Sequence, residues 1–120
     1  MTLRECYDSI GSDFNDTVSR LCGKESMLAK FVMKFPEDPT YRALVSAYEG
    51  GDMETAFRMA HTLKGVCLNL GFDKLRESSA ALTEALRNSE AIADNSAELY
   101  ARVKQDYEMT VNAINSVNEE

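Results

Sequence analysis

One short stretch, Ala60-His61-Thr62-Leu63-Lys64-Gly65, combines a nucleophile, a cation and a missing side chain. His61 is the only histidine among the 120 residues. On a helix, Lys64 and Gly65 follow it at the third and fourth positions, so both lie beside it on the surface. An exposed imidazole nitrogen can act as a nucleophile or a general base, and a lysine beside it can stabilise developing negative charge. This stretch therefore indicates a reactive centre.

The helix that must position these residues is predicted over residues 52–70, because its apolar side chains recur at spacings of 3, 4, 3, 4 and 3. Asp52 is the expected N-cap, and Gly71 is the expected left-handed C-terminal glycine. His61 lies roughly opposite the centre of the apolar stripe. Phe57 and Leu68 share its outer face, where each is either core or part of a docking surface. The stripe consists of Met53, Ala56, Ala60, Leu63, Cys67 and Leu70.

The stretch resembles the signature of histidine-containing phosphotransfer (HPt) domains. That pattern is Ala-His-x-Leu-Lys-Gly with a glycine ten residues after the histidine, and here it reads Ala60 to Gly65 with Gly71. The motif is specific because it comes with the expected helical phase and flanking helices. Close resemblance covers roughly residues 48–87, and the remainder matches as a layout of helices.

The resemblance implies a stand-alone, bacterial-type phosphorelay carrier. HPt domains take a phosphoryl group from a receiver-domain aspartate onto Nε2 of the histidine and pass it to another receiver. His61 would then be the phosphoacceptor, Lys64 a cation facing the phosphate, and Gly65 the point of partner access. The receiver supplies magnesium, so we expect no cofactor of the chain's own and no independent turnover. The expected partners are response-regulator receiver domains, including that of a hybrid sensor kinase.

The chain departs from the family at one position. Many members carry a glutamate or glutamine 22 residues after the histidine, which orients the imidazole ring. Thr83 stands there, followed by Glu84. A threonine hydroxyl can accept a hydrogen bond but reaches less far. The ring could therefore be oriented by Thr83, by Glu84 or by water, or it could have no orienting group.

Charge and cysteine content limit the function further. The net charge of -7 argues against binding to nucleic acid or to an anionic membrane surface. The N-terminus lacks the apolar core of a signal peptide, and no apolar run is long enough to span a membrane. An odd number of cysteines at unpaired spacings predicts reduced, buried thiols in a cytoplasmic protein, namely Cys6, Cys22 and Cys67. Zinc is not expected, because the sequence has no Cys-x-x-Cys pair. We also expect a monomer.

Apolar residues at helical spacing, with only two prolines and six glycines, predict an all-α protein. We expect one domain over residues 1–120, in which short helices in 1–22 cap an antiparallel, up-down four-helix bundle over 24–118. The first bundle element is a pair broken near Pro36, within 24–49, and the others span 52–70, 73–88 and 96–118.

Three details of this prediction can be compared with a structure. The first bundle helix should turn one apolar set inward, namely Met27, Leu28, Phe31, Val32 and Phe35. Asn95 and Glu98 have the spacing of a capping box before the last helix. Residues 87–94 read as a polar connection, and the chain should fray at 118–120.

Two further functions remain open at this point. The chain could be a receiver-binding scaffold that is never phosphorylated, in which case His61→Ala would keep partner binding. It could also be a small hydrolytic or transfer enzyme with His61 as general base. The second alternative is disfavoured because no serine, cysteine or carboxylate is evidently placed beside His61, and an exposed helix flank offers no water-excluding pocket.

Overall fold

The computed structural model of the protein describes residues 1–87 and 95–117, and all regular elements in these ranges are helical. The all-α prediction is thereby confirmed. Seven α-helices and one 3-10 turn (Phe35–Glu37) follow one another. The α-helices are α1 (Leu3–Ser9), α2 (Phe14–Arg20), α3 (Glu25–Lys34), α4 (Thr40–Glu49), α5 (Met53–Leu70), α6 (Asp73–Leu86) and α7 (Ser96–Asn115). Most of the predicted connection 87–94 and the predicted fraying at 118–120 lie outside the described residues.

Both ends of α5 form as the sequence predicts. The Asp52 side chain accepts a hydrogen bond from the backbone N–H of Thr55, and this bond lowers the pKa of the Asp52 carboxyl. At the other end Gly71 has φ of 72°, and the N–H of Phe72 donates to the carbonyl of Cys67. The helix is therefore fixed in length, and its rotation is set by the stripe of five buried residues Ala56, Ala60, Leu63, Cys67 and Leu70.

Helix α5 packs against α4 and α6, and α6 packs in turn against α7. Helix α6 buries one apolar face, formed by Leu75, Leu82 and Leu86. Ser78 and Ser79, which are also buried, allow a close approach to neighbouring helices. One hydrophobic cluster joins residues from all seven helices. The flank of α5 that carries His61 is left facing outward, which is the position that the helical phase predicts.

The short N-terminal helices cover the end of the core near Gly71. The hydroxyl of Tyr7 donates to the carbonyl of Leu70 at 2.5 Å. The Tyr7 ring also lies between Phe14 and Phe72, with centroid distances of 5.5 and 5.7 Å. Burial raises the pKa of the Tyr7 hydroxyl well above its ordinary value. These contacts tie α1 and α2 to the turn that joins α5 and α6.

The inward set predicted for α3 was partly wrong. Leu28, Val32 and Phe35 are buried, but the side chains of Met27 and Phe31 are 37% and 45% exposed. The buried residues, at spacings of four and three, define a narrow stripe along one side of the helix. Met27 and Phe31 each precede a buried residue by one position, so they lie about 100° away from it around the helix.

Two local predictions were also wrong. Cys22 is exposed, because it lies in the turn after α2 with a left-handed φ of 58°, whereas Cys6 and Cys67 are buried. Burial raises the pKa of both buried thiols. Asn95 precedes α7 but makes no side-chain capping bond, and its backbone is at φ -97° and ψ 0°. That conformation differs from the extended one that a capping box requires.

We predict that Gly71→Ala lowers the free energy of unfolding by about 3 kcal/mol. An alanine is strained at φ of 72°, and its Cβ would overlap Oγ1 of Thr17. Gly51→Ala is the matched control, because Gly51 also has a positive φ, of 81°, but has open space around it. The control should cost about 1 to 2 kcal/mol in urea-induced unfolding. Equal losses in the two variants would show that the overlap with Thr17 has no effect.

Candidate functional site

His61 lies near the middle of α5 on its outward flank, and its side chain is exposed. The helix holds the residue in place through its neighbours Ala60 and Leu63, which are fully buried. Within the described part of the chain, neither ring nitrogen of His61 makes a hydrogen bond to the protein. The imidazole is therefore open to another molecule on a rigid support.

One ring, that of Phe57, stacks beside the imidazole, and Arg87 in turn lies over Phe57. The Phe57 ring lies one turn before His61, with ring centroids 6.5 Å apart and planes inclined by 17°. The guanidinium carbon of Arg87 lies 5.2 Å from the Phe57 centroid. Phe57 is half-buried and also packs against the core. Phe57 thus packs against the core on one side and forms part of the surface beside His61 on the other.

Two charged residues, Glu84 and the C-cap residue Arg87, lie at the C-terminal end of α6, and Arg87 lies over Phe57 in this part of the surface. Arg87 donates from Nε to Oε2 of Glu84 at 2.9 Å and from Nη2 to Oε1 at 3.1 Å, which is a bidentate pair. The hydrogen bonds from Arg87 and its charge lower the pKa of the Glu84 carboxyl, and the charge of Lys64 lowers it further. The Glu84 carboxylate is therefore paired with Arg87 and also feels the positive charge of Lys64 on α5.

Gly65 leaves a gap in the outer face of α5. A Cβ built at this residue would meet no heavy atom within 4 Å, apart from the helix's own backbone. The glycine is therefore not required for packing against any of the helices α1 to α7 as the structure describes them. Its cost in helix stability, about 1 kcal/mol relative to alanine, has no internal structural explanation.

The structure does not bring Thr83 to the imidazole. Thr83 is fully buried, and its hydroxyl donates to the carbonyl of Ser79 at 2.7 Å. The neighbouring Glu84 is exposed but is bonded to Arg87. Neither residue is hydrogen-bonded to His61, so among the described residues no hydrogen bond fixes the orientation of the ring.

Apolar side chains continue the surface toward the end of α5. Leu68, two turns after His61, is 53% exposed. Phe31 of α3 is also exposed, and it borders a shallow groove of about 310 Å³ together with Phe35, Val66 and Leu70. The outer flank of α5 thus carries a reactive residue near its middle and exposed apolar groups toward its C-terminus.

Sequence reasoning missed Arg87 and its bond to Glu84. A usable signal was present, because Glu84 and Arg87 are three residues apart and would share one face if α6 continued that far. The turn at Gly71 also brings the second half of α6 alongside the middle of α5. The assignment of Arg87 to a polar connection concealed both relationships.

The family model of the Hpt domain matches residues 26–113. The chain belongs to the Hpt domain family, whose members carry phosphoryl groups on histidine in two-component phosphorelays and interact with receiver domains. Comparison with curated proteins and with solved structures gave no match. No helix in the described ranges is long and apolar enough to cross a membrane.

Proposed function

We propose that His61 accepts a phosphoryl group from the aspartyl phosphate of a receiver domain and passes it to the aspartate of another receiver. The observation that carries this proposal is the exposed imidazole, which has no hydrogen-bond partner among the described residues, on an otherwise well-anchored helix with Gly65 open and Lys64 beside it. Membership of the Hpt domain family supports the reaction class.

The transfer step requires little of this chain. The lone pair of His61 Nε2 attacks phosphorus, and the bond between phosphorus and the aspartate oxygen breaks. The aspartate leaves with the bonding electrons as a carboxylate, while Nδ1 keeps its proton. Lys64 stabilises the negative charge on the transferring oxygens. Magnesium comes from the receiver, and the carrier has no turnover without its partners.

The docking surface follows from the exposed apolar groups. A receiver would cover Phe57, Gly65 and Leu68, and the absent side chain at Gly65 lets its phosphorylated aspartate approach Nε2. The phosphorus atom must come within about 3 to 3.5 Å of Nε2 before transfer. The receiver surface must therefore lie directly against α5, without a side chain holding the two apart. Leu68 supplies an apolar contact of the kind that anchors protein interfaces.

Three broader properties belong to the same proposal. The helices form an antiparallel, up-down four-helix bundle in a single domain, which fits the packing of α5 between α4 and α6 and of α6 against α7. The protein acts as a monomer. It acts in the cytoplasm, where free thiols such as those of Cys6 and Cys67 stay reduced.

Docking can be tested separately from transfer. The ¹⁵N-labelled protein is titrated with an unphosphorylated receiver domain, taken from a panel, and amide shifts are mapped. We expect the largest shifts on the outer flank of α5, around Gly65 and Leu68, and none around Arg102 of α7. A receiver that docks there but never transfers its phosphoryl group would instead indicate a binding scaffold.

A further inference from the structure

The pair formed by Glu84 and Arg87 has more neighbours than an ordinary surface ion pair. Arg87 lies over Phe57, which stacks beside His61, and Glu84 also feels the charge of Lys64. An exposed ion pair of this kind contributes little to folding, so stability alone does not account for the arrangement. The pair holds the Arg87 guanidinium against Phe57, the ring that stacks beside His61.

A phosphoryl group resembles the Glu84 carboxylate in the way that arginine recognises it. Both present two oxygens to the planar fork of a guanidinium, and a phosphoryl group carries more negative charge. Arg87 is exposed and held only through its bonds to Glu84 and its contact with Phe57 in the described part of the chain. Rotation of its flexible side chain over the Phe57 ring would move its donors toward His61.

We propose that Arg87 is a phosphate-binding residue that exchanges the Glu84 carboxylate for the phosphoryl group on His61. In the unphosphorylated protein the Arg87 guanidinium is hydrogen-bonded to the Glu84 carboxylate. Once the phosphoryl group is attached, Arg87 donates to its oxygens, and the exposed Glu84 carboxylate is released to solvent. This inference rests on the proposed function, because it concerns the phosphorylated form of the same histidine.

Two substitutions that break the same ion pair distinguish this role from a structural one. Arg87→Ala removes the donor, so the equilibrium between phosphorylated receiver and phosphorylated carrier should shift about tenfold toward the receiver. Glu84→Gln removes the competing anion, so the same equilibrium should shift several-fold toward the carrier. A merely structural pair would move both variants in the same direction.

The partition is measured with a labelled receiver, magnesium and equal concentrations of each variant. Arg87→Lys should recover part of the loss because it keeps the charge but not the bidentate fork. Arg102→Ala on α7 is the matched control and should leave the equilibrium unchanged. Shifts of equal sign for Arg87→Ala and Glu84→Gln, or no shift for Arg87→Ala, would overturn the proposal.

A second measurement needs no receiver and so separates this proposal from the proposed function. Phosphoramidate can phosphorylate His61 directly: the nitrogen–phosphorus bond of the reagent breaks, ammonia leaves, and a bond from His61 nitrogen to phosphorus forms. We expect the Nε–H resonance of Arg87 to shift on phosphorylation while that of Arg102 stays in place. An unmoved Arg87 resonance in the phosphorylated protein would reject the exchange even if relay activity is found. If the Arg87 resonance shifts but no receiver transfers its phosphoryl group to His61, the proposed relay function is rejected and the exchange at Arg87 is retained.

Discussion

His61→Gln should abolish phosphoryl transfer from a phosphorylated receiver, with a loss of at least about a thousandfold. Glutamine has a similar polarity but no nucleophilic nitrogen, because its amide lone pair is delocalised. The side chain at this position is exposed and contributes nothing to the buried stripe of α5. The free energy of unfolding should therefore change by no more than about 0.5 kcal/mol.

Transfer is measured by the movement of label over time, and stability by urea-induced unfolding of the same preparations. Gln105→Ala, an exposed position on α7, is a control for the effect of changing a polar surface residue. Phosphoryl transfer to His61→Gln at the wild-type rate would show that another residue is the phosphoacceptor. Unfolding of that variant would show that the imidazole has a structural role that its exposure does not reveal.

Gly65→Leu should reduce transfer by about a hundredfold or more while raising the stability of the fold. A Cβ at this position has no heavy atom of the described residues within 4 Å outside the backbone of its own helix, so the new side chain starts in open space. Leucine is a better helix former than glycine by about 0.8 kcal/mol, which should raise the melting temperature by a few degrees. On the partner side the branched side chain would hold the receiver away from Nε2, and a misplacement of about 1 Å can cost a hundredfold in rate.

The opposite signs of the two effects make this prediction informative. Gly65→Ala should give a similar gain in stability but a smaller loss of transfer, since a single methyl group obstructs less. Ala101→Leu on α7 places an equally apolar side chain at an exposed position remote from α5 and should leave transfer intact. Normal transfer by Gly65→Leu would contradict the view that Gly65 exists for partner access.

The strongest part of the sequence prediction concerned α5. Its start at Asp52, its end at Gly71 and its buried stripe all follow from local signals, namely a cap, a left-handed glycine and a regular apolar period. The outward position of His61 then follows from helical geometry alone. Prediction succeeded here because each local preference agrees with the packing of the helix.

The failures occurred where packing overrides a local pattern. Met27 and Phe31 look like core residues by type, but how much of α3 becomes buried depends on its neighbours, which the pattern does not show. Asn95 has the right spacing to Glu98, but a capping box also needs an extended backbone. Arg87 was missed because its significance comes from a contact with another helix, at Phe57.

The most direct test of the central claim is the chemistry of the label on the wild-type protein after transfer from a phosphorylated receiver with magnesium. We predict one phosphoryl group per chain, lost in mild acid but retained in base, with ¹⁵N NMR assigning it to Nε2 of His61. Label that survives acid would show that an alcohol carries it, and label lost in base would show a carboxylate. Either result, or no label from any receiver of a broad panel, would contradict the assignment of His61 as phosphoacceptor.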